Sequence, residues 1–205
     1  GAGMLLYPAQ VAEVLAPIAE YPEIQFSLKM RLGWENASEC MVLVELLNTL
    51  RLSRIALHAR TGKQQYKGHP DLEAFQGFYE LCQHPLYYNG DIESLSDIRQ
   101  ILTRFPLLKG VFIGRGLLSS PLLAKEFKGN ETFLPEQRMS IYFAFHEELF
   151  SAYSQVLQGE TQLLVKMKTL WEYFLPETDR KLLKRIKKST RLQQYTESVK
   201  AIFTS

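Results

Sequence analysis

Apolar and polar positions follow two rhythms along this chain. Val11, Val14, Leu15 and Ile18 recur at helical spacing between Pro8 and Tyr21, and the pattern stops before Pro22. Ile24 to Met30 is a short strand-like run, and Ser38 to Leu50 is an amphipathic helix with Glu39 and Glu45 outward. Ile55 to His58 is a second strand, followed by a helix from Leu72 to Cys82 behind the start signal Pro70-Asp71. Leu86 to Tyr88 is a third strand, Ser94 to Phe105 a helix, and Val111 to Ile113 a fourth strand ahead of "GRGLLSSP". Short strands joined by helices of about 10 to 15 residues predict βα units and a parallel sheet.

Beyond Gly129-Asn130 the strand rhythm ends. Pro135 to Leu157, Thr161 to Leu175, Glu177 to Lys188 and Leu192 to Phe203 all have helical spacing, with Gly159 and Pro176 between them. The expected organisation is an α/β part over residues 1–128 and an all-α part over 129–205.

Composition narrows this picture. A chain of 205 residues, 46% apolar and 22% charged, can bury a sizeable core and usually forms one domain, or one with an appendage. No apolar run reaches the roughly 18 residues of a membrane span, and no basic stretch followed by an apolar segment marks a secretion signal, so the expected location is the cytoplasm with no membrane partner. The two cysteines, Cys40 and Cys82, fall in predicted helices outside any metal-ligand spacing and are read as core filling. Charge divides unevenly: residues 166–205 carry ten Lys and Arg against four Asp and Glu, while residues 1–165 have an acidic excess. In the basic tail Lys181, Lys184, Arg185 and Lys188 leave Leu182, Leu183 and Ile186 on one stripe of a helix. The cationic face suits either plain solvation or a phosphate backbone.

Each predicted strand ends in residues that a buried strand does not need. These are Lys29 and Arg31 in "SLKMRLG", His58, Arg60 and Thr61 in "ALHARTG", Asn89, Gly90 and Asp91 in "YYNGDI", and Gly114, Arg115 and Gly116 in "FIGRG". Singly, each has a plainer reading: a lysine reaching water, a satisfied buried histidine, a glycine turn, a loop with a solvated arginine. Four consecutive strands sharing the feature point instead to a ligand at the C-terminal edge of a parallel sheet. Glycines that expose main-chain N–H groups and an arginine that binds bidentately suit a phosphate, whereas Asp91 suits orienting the loop or accepting from a ligand hydroxyl.

The ordered set "LKMRLGW", "LHARTGKQQYKG", "YYNGDIES" and "GVFIGRGLLSSPLL" resembles the second half of a tRNA-dihydrouridine synthase, and "LVKMKTLWEYFL" is similar to part of that family's helical domain. The resemblance implies about four C-terminal units of a (β/α)₈ TIM-type barrel followed by an all-α tRNA-binding domain. It implies FMN as cofactor, with Lys29 at the flavin ring, His58 beside it, and Asn89, Gly90, Asp91, Gly114 and Arg115 cradling its phosphate. Arg31 and Arg60 would face the substrate uracil or the RNA, and Lys181, Lys184, Arg185 and Lys188 the tRNA backbone. Ala59 stands where the family motif carries glycine. Family chemistry implies that NADPH reduces the flavin, a flipped uridine takes hydride, and a cysteine protonates the base.

That cysteine belongs to a Cys-Pro loop a few residues before a Gly-x-Gly-x-x-Leu-Leu segment, which "GAGMLLYP" resembles. The proton donor is therefore expected upstream of Gly1, the chain reads as a fragment inactive by itself, and open strand edges would favour self-association. Two alternatives stand beside this reading: a non-catalytic RNA-binding module with a vestigial half-barrel, or another FMN-dependent barrel oxidoreductase.

Overall fold

The computed structural model describes residues 2–204; Gly1, the first glycine of the resemblance at the N-terminus, lies outside them. The chain divides into two compact units, Gly1–Ile113 and Gly114–Ser205.

In the first unit, the alternation of apolar runs and helical spacing becomes an α/β arrangement. Strands β1 (Phe26–Gly33), β2 (Leu52–Thr61), β3 (Leu86–Asn89) and β4 (Gly110–Phe112) form one sheet in the order β1-β2-β3-β4, with every pairing parallel. Helices α1 (Pro8–Leu15), α2 (Val44–Thr49), α3 (Leu72–Leu81) and α4 (Leu95–Arg104) precede and connect them. Two predicted helices are split. The first tightens into a 3-10 turn over Ala16–Glu20, because Pro17 has no N–H and its ring crowds the carbonyl four residues earlier. The second begins as a 3-10 turn, Glu39–Leu43, before α2.

Register separates the two faces of the sheet. Met30 pairs with Leu57, Leu57 with Tyr88, and Tyr88 with Val111. Paired residues of parallel strands share a face, so this row is apolar, and Met30, Leu57 and Tyr88 are all buried. Phe75 of α3 meets Tyr88 edge-on at 5.1 Å and Phe105 at 5.0 Å, so α3 and the end of α4 cover that face. The other row runs Arg31, His58, Asn89 and Phe112. The helices start at side-chain caps: Asp71 accepts from the Ala74 N–H, and Ser94 and Asp97 form a reciprocal capping box. β2 is longer than its apolar run because pairing with β1 recruits polar Ser53, Arg54 and Thr61 into the ladder or its ends.

The described residues of the second unit are helical: α5 (Arg115–Ser119), α6 (Leu123–Gly129), α7 (Pro135–Val156), α8 (Glu160–Leu170), α9 (Arg180–Lys188) and α10 (Leu192–Phe203). The sequence pattern places residues 114–128 with the α/β part, yet packing joins them to the helices. Leu122 enters the core of Tyr142, Met167, Trp171, Phe174, Ile186 and Tyr195. Ser120 shares a 2.7 Å hydrogen bond with the Tyr142 hydroxyl, and buried Glu126 pairs with Arg138 of α7. α8 stops short of its predicted end: Leu175, ahead of Pro176, takes a left-handed conformation (φ 49°) and turns the chain. α9 then starts behind Asp179, whose carboxylate accepts from the N–H groups of Lys181 and Leu182.

One polar chain crosses the helical core. The Trp171 indole N–H donates to the Tyr195 hydroxyl at 2.9 Å, and that hydroxyl meets His146 Nε2 at 2.7 Å. His146 Nδ1 faces Glu147 at 3.1 Å. Burial holds His146 below its ordinary pKa, so the neutral ring accepts from Tyr195 and donates to Glu147.

Candidate functional site

The C-terminal edge of the sheet gathers the sequence candidates of the first unit. Arg31 and His58 are register partners, as are His58 and Asn89, which brings three strand ends into one row. Lys29 lies two residues before Arg31 and therefore shares its face.

His58 is 6% exposed. Burial first, then Arg31, Lys29 and Arg60, push its pKa down to about 4 against the opposing effect of Asp91, so its ring is neutral at pH 7. Lys29 is lowered from its ordinary value by partial desolvation and by Arg31. Arg31 donates to the carbonyls of Thr61 (2.7 Å) and Gln65 (3.1 Å), which pins the loop after β2. Asn89 uses its amide N–H on the Phe112 carbonyl at 2.8 Å, tying the end of β3 to β4.

Arg60 differs from the sequence expectation that it faces uracil or RNA. It is 1% exposed, and its guanidinium forks onto both carboxylate oxygens of Asp91, at 2.7 and 2.5 Å. A third donation, at 2.7 Å, goes to the Gly68 carbonyl. Asp91 is thus engaged by a cation and its charge compensated, which reduces the repulsion it would exert on any anion near this edge.

Gly90 is required for a reason the sequence does not show. At φ 153°, a Cβ there would lie 2.6 Å from the Tyr88 hydroxyl and 3.2 Å from Pro70, so the space is taken by protein. Gly114 and Arg115 head the second unit, as the residue capping α5 and its first residue; open space surrounds the position of a Gly114 Cβ.

Tyr66 was not among the sequence candidates. Its exposed ring lies 5.9 Å from the Arg31 guanidinium and 6.4 Å from the His58 ring. The available signal was a lone aromatic between Lys63 and Lys67 in "TGKQQYKG", on a loop after a strand that ends in cations.

Neither cysteine reaches this edge. Cys40 is fully buried, and burial pushes its thiol up to about 12. Cys82 is the last cap of α3, on the side where the chain enters β3, and its thiol is also raised by burial. Among the described residues no group of three or more His, Cys, Asp or Glu is arranged to hold a metal, and no helix is long and apolar enough to cross a membrane.

In the second unit, Lys181, Lys184, Arg185 and Lys188 line one open groove of about 480 Å³ between α9 and α10. Ile186 is buried below them, while Leu182 and Leu183 pack on the core. Lys168 donates to the Ser189 carbonyl and closes the end of α9. Arg185 and Lys188 in the last turn also complement the helix dipole, but Lys181 near the first turn gains nothing from it.

The family model described as Dihydrouridine synthase (Dus) matches residues 1–204. The chain is similar to tRNA-dihydrouridine synthase B of Vibrio vulnificus, 26% identical over 140 residues that cover 66% of this chain and 43% of that protein. It is also similar to a probable tRNA-dihydrouridine synthase of Aquifex aeolicus, 34% identical over 128 residues, 61% of this chain and 40% of that protein. The chain spans less than half the length of these curated relatives.

Proposed function

Because the chain belongs to the dihydrouridine synthase family, we propose that it forms part of an FMN-dependent oxidoreductase that reduces uridine to 5,6-dihydrouridine in tRNA, with NADPH as reductant. In this reading the parallel sheet supplies about four units of a (β/α)₈ barrel and the helical unit holds tRNA. The observation that carries it is the C-terminal edge of the sheet, where Lys29 and Arg31 flank a neutral His58 while Arg60 compensates Asp91. Such a surplus of positive charge beside hydrogen-bonding groups fits a ligand with an anionic phosphate and an electron-rich ring.

Lys29 would hold negative charge on the pyrimidine end of the flavin, and neutral His58 offers one donor and one acceptor beside it. Asn89, Gly90 and Asp91 and, from the order of the motifs, Gly114 and Arg115 are assigned to the phosphate. When bound, the flavin supplies the hydride that reduces the uracil. Arg31 orients the substrate base, and Tyr66 with Lys63 and Lys67 offers an aromatic face among cations to an unstacked nucleotide. Neither Cys40 nor Cys82 is placed to protonate that base. Lys181, Lys184, Arg185 and Lys188 track tRNA phosphates, giving affinity and register more than base readout.

The test is a titration of the chain with FMN followed by gel filtration, together with tRNA binding across a salt series. Flavin that travels with the protein, and a log–log salt slope of about −3 to −4 from four phosphate contacts, are the expected results. Protein that retains no flavin but binds tRNA with that slope would move the conclusion to an RNA-binding module. Loss of both would end the reading.

A further inference from the structure

We propose that Arg60 is a positioning residue that sets the cofactor-phosphate turn Asn89–Asp91 and the loop 62–69 as one unit. The proposal rests on the flavin reading above and gives Arg60 a role distinct from contact with substrate.

Three observations support it. First, the guanidinium is 1% exposed, yet it is charged, and its Nε has no hydrogen-bond partner among the described residues. Burying such a group is costly, and a well-packed apolar side chain would serve stability as well. A charged fork is retained where direction matters. Second, its bonds lead to two separate segments. Two go to the Asp91 carboxylate, which fixes the plane and position of the residue after Gly90, and one goes to the Gly68 carbonyl. Third, Pro70, directly after the loop, borders the turn: its ring lies 3.2 Å from the position a Gly90 Cβ would take, which leaves little room for one segment to shift without the other. The loop is also clasped from within, where Gln64 donates to the carbonyls of Lys67 and His69, and so it moves as a body. Without the fork, Asp91 regains an uncompensated charge beside the phosphate and the turn loses its anchor.

The experiment compares the 205-residue chain with its Arg60→Lys variant. Lysine keeps the charge but cannot engage both carboxylate oxygens in a planar fork. Affinities are measured for FMN and for riboflavin, which lacks the phosphate. Hydrogen exchange is followed over residues 62–69 and 89–92 without ligand. The expected result is a loss of about tenfold in FMN affinity with riboflavin affinity unchanged within about twofold, and faster exchange in both segments together. Equal weakening of both flavins would show a merely structural role, and unchanged exchange in either segment would remove the coupling; each overturns the proposal. If the parent chain binds neither flavin, the flavin reading fails, and the exchange comparison still decides whether Arg60 holds the two segments. Should Arg60→Lys fail to fold, Asp91→Asn weakens the same fork from its other side and is expected to release residues 89–92 and 62–69 in the same assay.

Discussion

Replacing Gly90 with alanine isolates the most tightly determined position at the sheet edge. The added Cβ would stand 2.6 Å from the Tyr88 hydroxyl oxygen, 3.0 Å from its ring carbon and 3.2 Å from Pro70. Tyr88 cannot yield easily, being 2% exposed and held edge-on against Phe75. Overpacking of this kind costs about 1–3 kcal/mol. A side chain at φ 153° adds strain of about 1–3 kcal/mol. The expected destabilisation is therefore about 2–6 kcal/mol, which lowers a urea midpoint by about 1 M or more at a typical slope. Gly77→Ala, inside α3 of the same unit, is the control: its Cβ would meet Met41 at an ordinary 3.9 Å, and relief of backbone entropy in a helix should stabilise by about 0.5–1 kcal/mol. Urea unfolding followed by circular dichroism reads both. Gly90→Ala within about 0.5 kcal/mol of the parent, or shifted in the same direction as Gly77→Ala, would refute the reasoning that Tyr88 and Pro70 demand glycine there.

Other outcomes follow from the same geometry. His58 has a folded pKa of about 4 against an ordinary 6.5, so the unfolded chain takes up the proton first; stability should fall as pH drops from about 6.5 to about 4 and level off below, and His58→Gln should flatten that part of a pH-stability curve measured by urea unfolding. Tyr195→Phe removes the buried hydroxyl shared by Trp171 and His146 and should cost about 1–3 kcal/mol, seen as a lower urea midpoint. On the proposed reading of the α9–α10 groove as a tRNA site, Lys184→Glu with Arg185→Glu should weaken tRNA binding and make its log–log salt slope shallower by about 2 in filter-binding or anisotropy titrations.

The order and type of the elements could be read from the sequence because hydrophobic periodicity, caps and breakers act over a few residues. Asp71, Ser94 and Asp179 start their helices by bonding to N–H groups two or three residues away. The amphipathic α9, with its four groove-lining cations, was legible for the same reason. So was the polar character of the strand ends, since each motif is contiguous.

Tertiary structure decided what depends on residues far apart in the chain. Pairing with β1 extended β2 through polar residues that hydropathy leaves out. Leu122, Glu126 and Ser120 joined the helical unit because their partners lie on α7 and in its core. At Gly90 the sequence suggests close approach of a ligand to the main chain; the tertiary structure adds Tyr88 and Pro70, which fill the space a Cβ would take. Arg60 and Asp91, 31 residues apart, carry opposite charges that sequence alone assigned to different tasks. Folding two adjacent strand ends onto one edge buried the arginine, and a buried cation takes the carboxylate within its reach.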